Sequence, residues 1–460
     1  MEIENLIKAK KVITGRWWFS DNKRRQFVGT ITFDQQVALE ISGTGKIDLT
    51  KNKYDEICGR GSDGEYFILR NCYVTRSITS HTKGGWSISL LPTDVISFTS
   101  SVTTKWNTTT LTHFEAQIPY LDFWLDHKLF DTSFTDHVIK FDNEKNETAE
   151  LGEAKLVLST RLMGIAGWNI NTRNRMDIRQ HSVLRLEYPQ EVEYAQAIQL
   201  YRRLEGFFRI AYASNFYLRR FDASFLRYTR LHGHKAPNVE LKEIYLNRFI
   251  DKNVERSPSI IDQLFLFKFK DLEDFGKVIA RWLEIEKPLQ PVYQLLLTSL
   301  ENGVYLEQRF ISLVNAVEIF HRRFNGRQRK PDDEWLAQKK EILSKLTGKN
   351  KKLVNGRLRD ANELTLEERI ADLVQSANNT GFRGLMPETI TKIAETRNSF
   401  VHRDFGGTND LDIIEASDAL TEILFSNILL EIGFATEEIR PMARNNEIFR
   451  YSSGLRIKDV

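Results

Sequence analysis

Cysteine is nearly missing: the 460 residues hold two, Cys58 and Cys72. Two thiols cannot staple a chain of this length, so disulfide-framework folds are excluded. The pair is expected as reduced core thiols, although the two could bond in principle. Membrane-length apolar runs are missing too, and the first residues, MEIENLIKAKKVI, show neither an apolar signal core nor a small-residue cleavage site. The chain is therefore expected to be cytoplasmic, with no part in a membrane. There is no Walker A loop, dinucleotide fingerprint, GxSxG elbow or HExxH helix, which leaves ATP hydrolysis and zinc-protease chemistry without a basis. Charge of one sign is scarce, since 65 Lys+Arg against 62 Asp+Glu give a net of only +3. What is plentiful is apolar content, 41%, enough for sizeable cores in two or three domains.

The pattern divides the chain. From residue 11 to about 185, short β-branched and aromatic runs at 28–33, 37–42, 65–69 and 86–90 are broken by Gly, Asn, Asp and Lys, with Ser62-Asp63-Gly64 and Lys83-Gly84-Gly85 as hairpin turns. This spacing predicts an antiparallel sandwich or barrel, with residues 142–150, DNEKNETAE, as a polar surface excursion. Near Pro189 the period changes. Ala195, Ile198, Leu204, Phe208 and Ala211 fall at helical intervals, so helix is expected from 192, with interruptions, to about Leu289. Residues 281–286, ahead of Pro288 and Pro291, read as the last helix before a boundary. Residues 292–435 read as an antiparallel helical bundle. The expected class is α+β: a β-rich part at 1–188, a helical middle segment at 189–290, and a bundle with its tail at 291–460.

Charge is unevenly placed. Residues 321–360 hold thirteen Lys+Arg against five Asp+Glu, a net of +8 that leaves −5 for the rest. Two readings stand beside each other: a surface drawn to a polyanion, carried by Arg322, Arg323, Lys349, Lys351 and Lys352 among loop-forming glycines, or a merely solvated face. The β-rich part also offers two readings for Trp17, Trp18, Trp86 and Trp106, as core, which we prefer, or as a ligand platform.

The stretch with the most chemistry is Arg397-Asn398-Ser399-Phe400-Val401-His402. Arg-to-His spacing alone proves little, because Arg76 to His81 and Arg227 to His232 share it. The setting differs. Asn398 directly follows the arginine and lies four positions before His402, about 40° away on an ideal helix, while Phe400 and Val401 can face a core. Arg397 and His402 would sit roughly 140° apart on a regular helix. Their convergence on one phosphate needs a helix end near His402, which Gly406, Gly407 and Asn409 provide, or a second copy of the chain, for which an apolar helix over 412–432 offers a face. Alternatively, Arg397 pairs with Glu395 or Asp404 and His402 caps the helix.

These residues resemble the HEPN superfamily, whose signature is an arginine, commonly followed by a polar residue, and a histidine shortly after. Residues 306–324, LEQRFISLVNAVEIFHRRF, look like its early helix, with Glu318 where many members keep an acid. Leu420, Leu424, Leu429 and Ile432 fit its last helix. Together with opening phrases such as Gly15-Arg16-Trp17-Trp18 and Val28-Gly29-Thr30-Ile31-Thr32-Phe33, the chain is similar to ApeA-type phage-defence proteins, in which a β-rich part precedes a HEPN domain.

The resemblance implies a ribonuclease that needs no metal or cofactor and works as a homodimer with two motifs in one groove. Host or phage RNA would be the target, transfer RNA among the candidates, with the β-rich part responding to a phage-derived trigger. RNA brings its own 2′-hydroxyl nucleophile, so the protein need only move protons and hold charge. Histidine, with a pKa near 6.5, suits His402 to general acid or base work. The forked, permanent cation of Arg397 suits a phosphorane, and Asn398 would orient the phosphate or the imidazole. Glu318 either contacts the motif across the bundle or is a helix-surface charge. His321 reads as an RNA-side or surface residue, and His232 and His234 have ligand-like spacing without further metal donors. The alternative of another class is a non-catalytic HEPN adaptor that binds RNA or a partner protein.

Overall fold

Alternation of apolar with polar side chains fixes most of the first half as strand, and a computed structural model of the chain shows how the strands join. It describes residues 11–20, 25–33, 37–44, 51–80, 85–98, 110–116, 118, 120–133, 138–141, 144–163, 179–213, 220–231, 234–246, 265–301, 303–326, 329–358, 361–378, 380, 385, 387–402 and 410–445, with backbone only at 220–231, 234–246, 401–402 and further positions such as 96–98, 130–133 and 138–141. Two compact units result, one of Met1–Arg202 with Phe216–Arg256, the other of Arg203–Asn215 with Ser257–Val460.

In the first unit, β1 (Lys11–Phe19), β2 (Phe27–Phe33), β3 (Val37–Thr44), β4 (Lys53–Gly61), β5 (Tyr66–Ser80) and β6 (Gly85–Leu91) pair antiparallel in the order β1-β2-β3-β6-β5-β4. Because β4 pairs back onto β1, with Gly15 opposite Gly61, the six close into a barrel without free edges. In β2, FVGTITF, alternate residues Phe27, Gly29, Ile31 and Phe33 point inward. Trp17 and Trp86 are buried in the barrel core as expected, and Trp106 lies outside the described residues. Trp17 fills the centre so completely that a Cβ on Gly59 would stand 2.1 Å from its ring. Neither Cys58 nor Cys72 is in a disulfide.

The N-terminal half of β5, with Phe67 and Leu69 in the barrel core, pairs with β4 on one side and with β7 (Asp94–Phe98) on the other. From β7 the sheet runs on through β15 (His234–Leu246), β14 (Arg220–Leu231), β8 (Thr110–Ala116), β13 (Arg179–Glu193), β12 (Lys155–Met163) and β11 (Glu144–Glu150). A separate small ladder joins β9 (Phe130–Ser133) to β10 (Val138–Phe141). The polar stretch expected as an excursion is instead the edge strand β11. An edge needs only one apolar contact row, here Ala149, and its charged residues face water. The short helix α1 (Leu121–Leu125) buries Trp124. Helix α2 (Tyr194–Ala211) forms where the apolar spacing predicts, but helix does not persist from there to Leu289: the β14–β15 hairpin stands between.

The second unit is helical. Helix α3 (Phe275–Ser299) is capped by Asp274, whose carboxylate accepts the Lys277 amide at 3.0 Å. It runs straight through Pro288 and Pro291, so the expected helix end at residue 286 does not occur. An interior proline costs a helix about 3 kcal/mol. The buried face of Ile279, Trp282, Ile285, Leu289, Val292, Tyr293, Leu296 and Leu297 offsets that loss, since burying one such side chain stabilises by roughly 1.5–3 kcal/mol. Glu286, buried among them, is held by Arg203 at 3.3 Å and by the Tyr293 hydroxyl at 3.1 Å. Burial, with Glu286 alongside, pushes the Tyr293 hydroxyl pKa upward.

Helices α4 (Leu306–Phe320), α5 (Asp332–Ser344), α6 (Gly348–Arg357), α7 (Leu366–Ala377), α8 (Pro387–His402), α9 (Asp410–Ile432) and α10 (Thr436–Asn445) complete the bundle. Helix α9 packs against α3, α4, α7, α8 and α10. It is apolar nearly all round because it is the core. Its expected role as a partner-facing surface is therefore corrected: Leu420, Ile423, Leu424, Phe425, Ile428 and Leu429 are spent inside the bundle. The basic window is not loop either. It folds as α5 and α6, with Gly348 and Gly356 inside α6, a helix with no buried residue. Among the described residues, no helix is long and apolar enough to cross a membrane.

Candidate active site

Helix α8 carries the Arg-Asn-His motif on its last described turns, through His402. The Phe400 ring lies 5.9 Å from that of Phe310 on α4, and this apolar contact fixes the helix against its neighbour. With Phe400 turned inward, Arg397 is left half-buried and Asn398 exposed. The Arg397 guanidinium stands 3.9 Å from the Glu318 carboxylate of α4 and donates to the Asn398 side-chain oxygen at 3.3 Å. Arg397 thus meets an acid from across the bundle rather than Glu395. The side chains of Val401 and His402, and all of 403–409 including Asp404, Gly406, Gly407 and Asn409, lie outside the described residues.

Glu318 also lines a cleft of about 300 Å³ whose other walls include Arg322, Arg329, Glu363, Thr365 and Arg369. Several local devices build it. After α4 the chain makes a π-turn over His321–Asn325, closed by the Gly326 amide on the His321 carbonyl at 3.0 Å. Asn362, nearly buried, clamps residue 330 from both sides: its side chain accepts the Lys330 amide at 3.0 Å and donates to the Lys330 carbonyl at 2.9 Å. The Arg329 amide donates to the Asn362 carbonyl at 3.1 Å, so Arg329 is pinned beside the start of α7. There Thr365 and Glu368 form a capping box, and Glu368 also accepts Arg329 at 2.8 Å. That bond to Arg329, with the capping amide, holds the Glu368 carboxyl below its ordinary pKa.

One oxygen of Glu363 takes two guanidinium groups, Arg369 at 2.6 Å and Arg322 at 2.9 Å. These partners, Arg369 foremost, lower the Glu363 pKa as well. Beneath the cleft, His321 is buried with its Nε2 3.1 Å from Asp372 of α7. The expectation that His321 is an RNA-side or surface residue is corrected: the π-turn aims it into the core, where it ties α4 to α7.

The other expected RNA contacts separate. Arg322 lines the cleft, whereas Arg323 donates to the Pro288 carbonyl at 2.6 Å. Lys349, Lys351 and Lys352 are exposed on α6. Of the decoy spacings, Arg76 lies on β5 and Arg227 on β14, while His81 and His232 lie outside the described residues, as does the His234 side chain. Sequence reasoning passed over Arg329, Asn362, Glu363, Arg369 and Asp372. The capping box, Thr365 to Glu368, was the one local signal that could have marked the spot.

A family model described as ApeA N-terminal domain 1 matches residues 12–282, and one described as Apea-like HEPN matches residues 311–438. No curated protein and no solved structure matches the chain.

Proposed function

Because the chain belongs to the ApeA family of HEPN proteins, we propose that it is the metal-independent endoribonuclease of a phage-defence system, cutting RNA when infection is sensed. The observation that carries this reading is the arrangement on α8: a half-exposed Arg397 beside Asn398, with Glu318 3.9 Å away and His402 on the same helix. A forked cation with access to solvent and a histidine on the same helix supply the charge partner and the mobile proton that a phosphorane requires.

The chemistry follows from the substrate. A base, His402, removes the proton of the RNA 2′-hydroxyl, and the oxygen attacks the neighbouring phosphorus. Arg397 neutralises the equatorial oxygens as the phosphorane forms. The bond to the 5′-oxygen then breaks, and that oxygen takes a proton from an acid, for which the histidine of a second copy is the candidate. The products are a 2′,3′-cyclic phosphate and a 5′-hydroxyl, and no water is consumed. Glu318 orients Arg397 between turnovers. A homodimer that brings two motifs into one groove supplies both histidines, and the β-rich domain supplies the restraint that a phage-derived trigger lifts.

The test is incubation of the purified protein with total cellular RNA in EDTA, followed by mapping of the new ends. Cyclic phosphate and 5′-hydroxyl ends are expected. Ends bearing a 5′-phosphate would point to water activated by a metal and overturn the mechanism. An adaptor without catalysis would shift RNA mobility and leave every strand intact.

A further inference from the structure

We infer that the cleft between α4 and the start of α7 is a phosphate subsite for the RNA strand, with Glu363 as a built-in occupant that the RNA displaces. The inference rests on the nuclease reading for its substrate, and on the cleft's own geometry for its position.

Three arginines, Arg322, Arg329 and Arg369, line one small cleft, and they are held from different parts of the chain. Arg369 is buried, so its charge cannot move out to water. Arg329 is fixed by the Asn362 clamp and the Glu368 carboxylate. Arg322 and Arg329 are exposed, with side chains 57% and 44% accessible, so a phosphate can reach both from solvent. A preorganised set of forked donors is the arrangement that recognises a tetrahedral oxyanion.

The bridging position belongs to a single oxygen of Glu363, at 2.6 and 2.9 Å from two of the three arginines. One anionic oxygen shared by two guanidiniums is the contact a phosphate oxygen would make. Glu363 is itself 44% exposed. It lies in the turn ahead of α7, so a side-chain rotation releases it without disturbing a helix.

Position completes the argument. Glu318 borders the cleft and also faces Arg397. A carboxylate repels phosphate, so it divides two phosphate positions, one at Arg397 and one at the arginine cleft. RNA crossing from one to the other would place its scissile phosphate at the motif and a neighbouring phosphate in the cleft. The volume, about 300 Å³, suits one phosphodiester with its sugar.

Binding of a labelled 2′-O-methyl RNA oligomer to the full-length protein tests this, because the oligomer cannot be cut. Glu363→Gln, which keeps an acceptor for Arg369, should bind about fivefold tighter, the factor for removing one competing charge at a half-exposed site. Arg322→Gln should bind more weakly, with the slope of log affinity against log salt reduced by about 0.7, the value for one lost single-strand phosphate contact. Thermal midpoints of both variants report folding. Unchanged or weaker binding by a folded Glu363→Gln overturns the subsite, as does an unchanged salt slope in Arg322→Gln or a failure of every form to bind the oligomer. Displacement of Glu363 by inorganic phosphate with no response to RNA would assign the cleft to a small anion and also overturn it. Cleavage of ordinary RNA by Arg397→Ala within about threefold of the wild-type rate would sink the nuclease reading of the motif separately.

Discussion

Replacing Arg397 by alanine separates a catalytic arginine from a structural one, because the two roles predict opposite balances of stability and rate. The side chain is 35% exposed, and its ion pair with Glu318, itself 22% exposed, spans 3.9 Å, the outer limit of such a contact. Exposed pairs of this kind contribute about 0.2–1 kcal/mol. The folding loss should therefore stay below about 1 kcal/mol, a fall of roughly 2–4 °C in thermal midpoint for a unit of this size. In the reaction, by contrast, a donor aimed at developing phosphorane charge is worth about 10²–10³ in rate, or ~2.7–4 kcal/mol. Initial cleavage rates at saturating RNA in EDTA, measured beside thermal melts, should show the large effect on rate alone. Arg397→Lys keeps the charge without the fork and should recover only part of the rate. Glu318→Gln should cost little stability, and its coupling to Arg397→Ala in a double-mutant cycle should stay under about 1 kcal/mol. The reasoning fails if Arg397→Ala cleaves within about threefold of wild type, or if its activity falls only in step with a stability loss of several kcal/mol.

Neutralising Lys349, Lys351 and Lys352 together should flatten the salt dependence of RNA binding by about 2, at ~0.7 per phosphate contact, while the rate at saturating RNA changes far less; an unchanged slope would make α6 plain solvated surface. Gly59→Ala should destabilise the barrel by about 1–3 kcal/mol, since its new methyl meets Trp17 at 2.1 Å, and a melt within 1 °C of wild type, roughly experimental scatter, would show that the ring yields freely. Glu363 and Glu368 have folded pKa values below the ordinary carboxylate value, so their stabilisation is complete above about pH 4.3 and is lost as pH falls through the lower, folded values. The thermal midpoint of wild type should therefore drop more steeply between about pH 5 and pH 3 than that of Glu363→Gln/Glu368→Gln; parallel curves would refute it.

What could be read along the sequence is what is decided locally. Alternating burial in β2 and the helical spacing of Ala195, Ile198, Leu204 and Phe208 are properties of neighbouring residues, and both elements form where the pattern puts them. The β14–β15 hairpin was hidden because its strands are completed by distant partners, β8 on one side and β7 on the other. Strand preference depends on such neighbours more than on composition. Pro288 and Pro291 misled for the converse reason, since a proline is a local signal and the buried face of α3 is a tertiary one. At the site, the Arg397-Asn398 pair and Glu318 were legible as motif and helix position. The arginine cleft was not, because residues 318–322, 329 and 363–369 converge only once α4 and α7 pack. Nothing in their spacing encodes that meeting.

The barrel's pairings all fall between Lys11 and Leu91. The open sheet, by comparison, must wait for β15 to find β7, joining Tyr245 to Val95, and the bundle's core helix, α9, is among the last elements of the chain. On a ribosome this order becomes a timetable, because domains fold as they emerge, N-terminal parts first. The barrel can close while the rest is still being made, the sheet stays incomplete until residue 246 is out, and the arginine of α8 acquires its packed surroundings only after α9 has emerged. A chain broken off at any earlier codon leaves β-structure behind and no assembled motif.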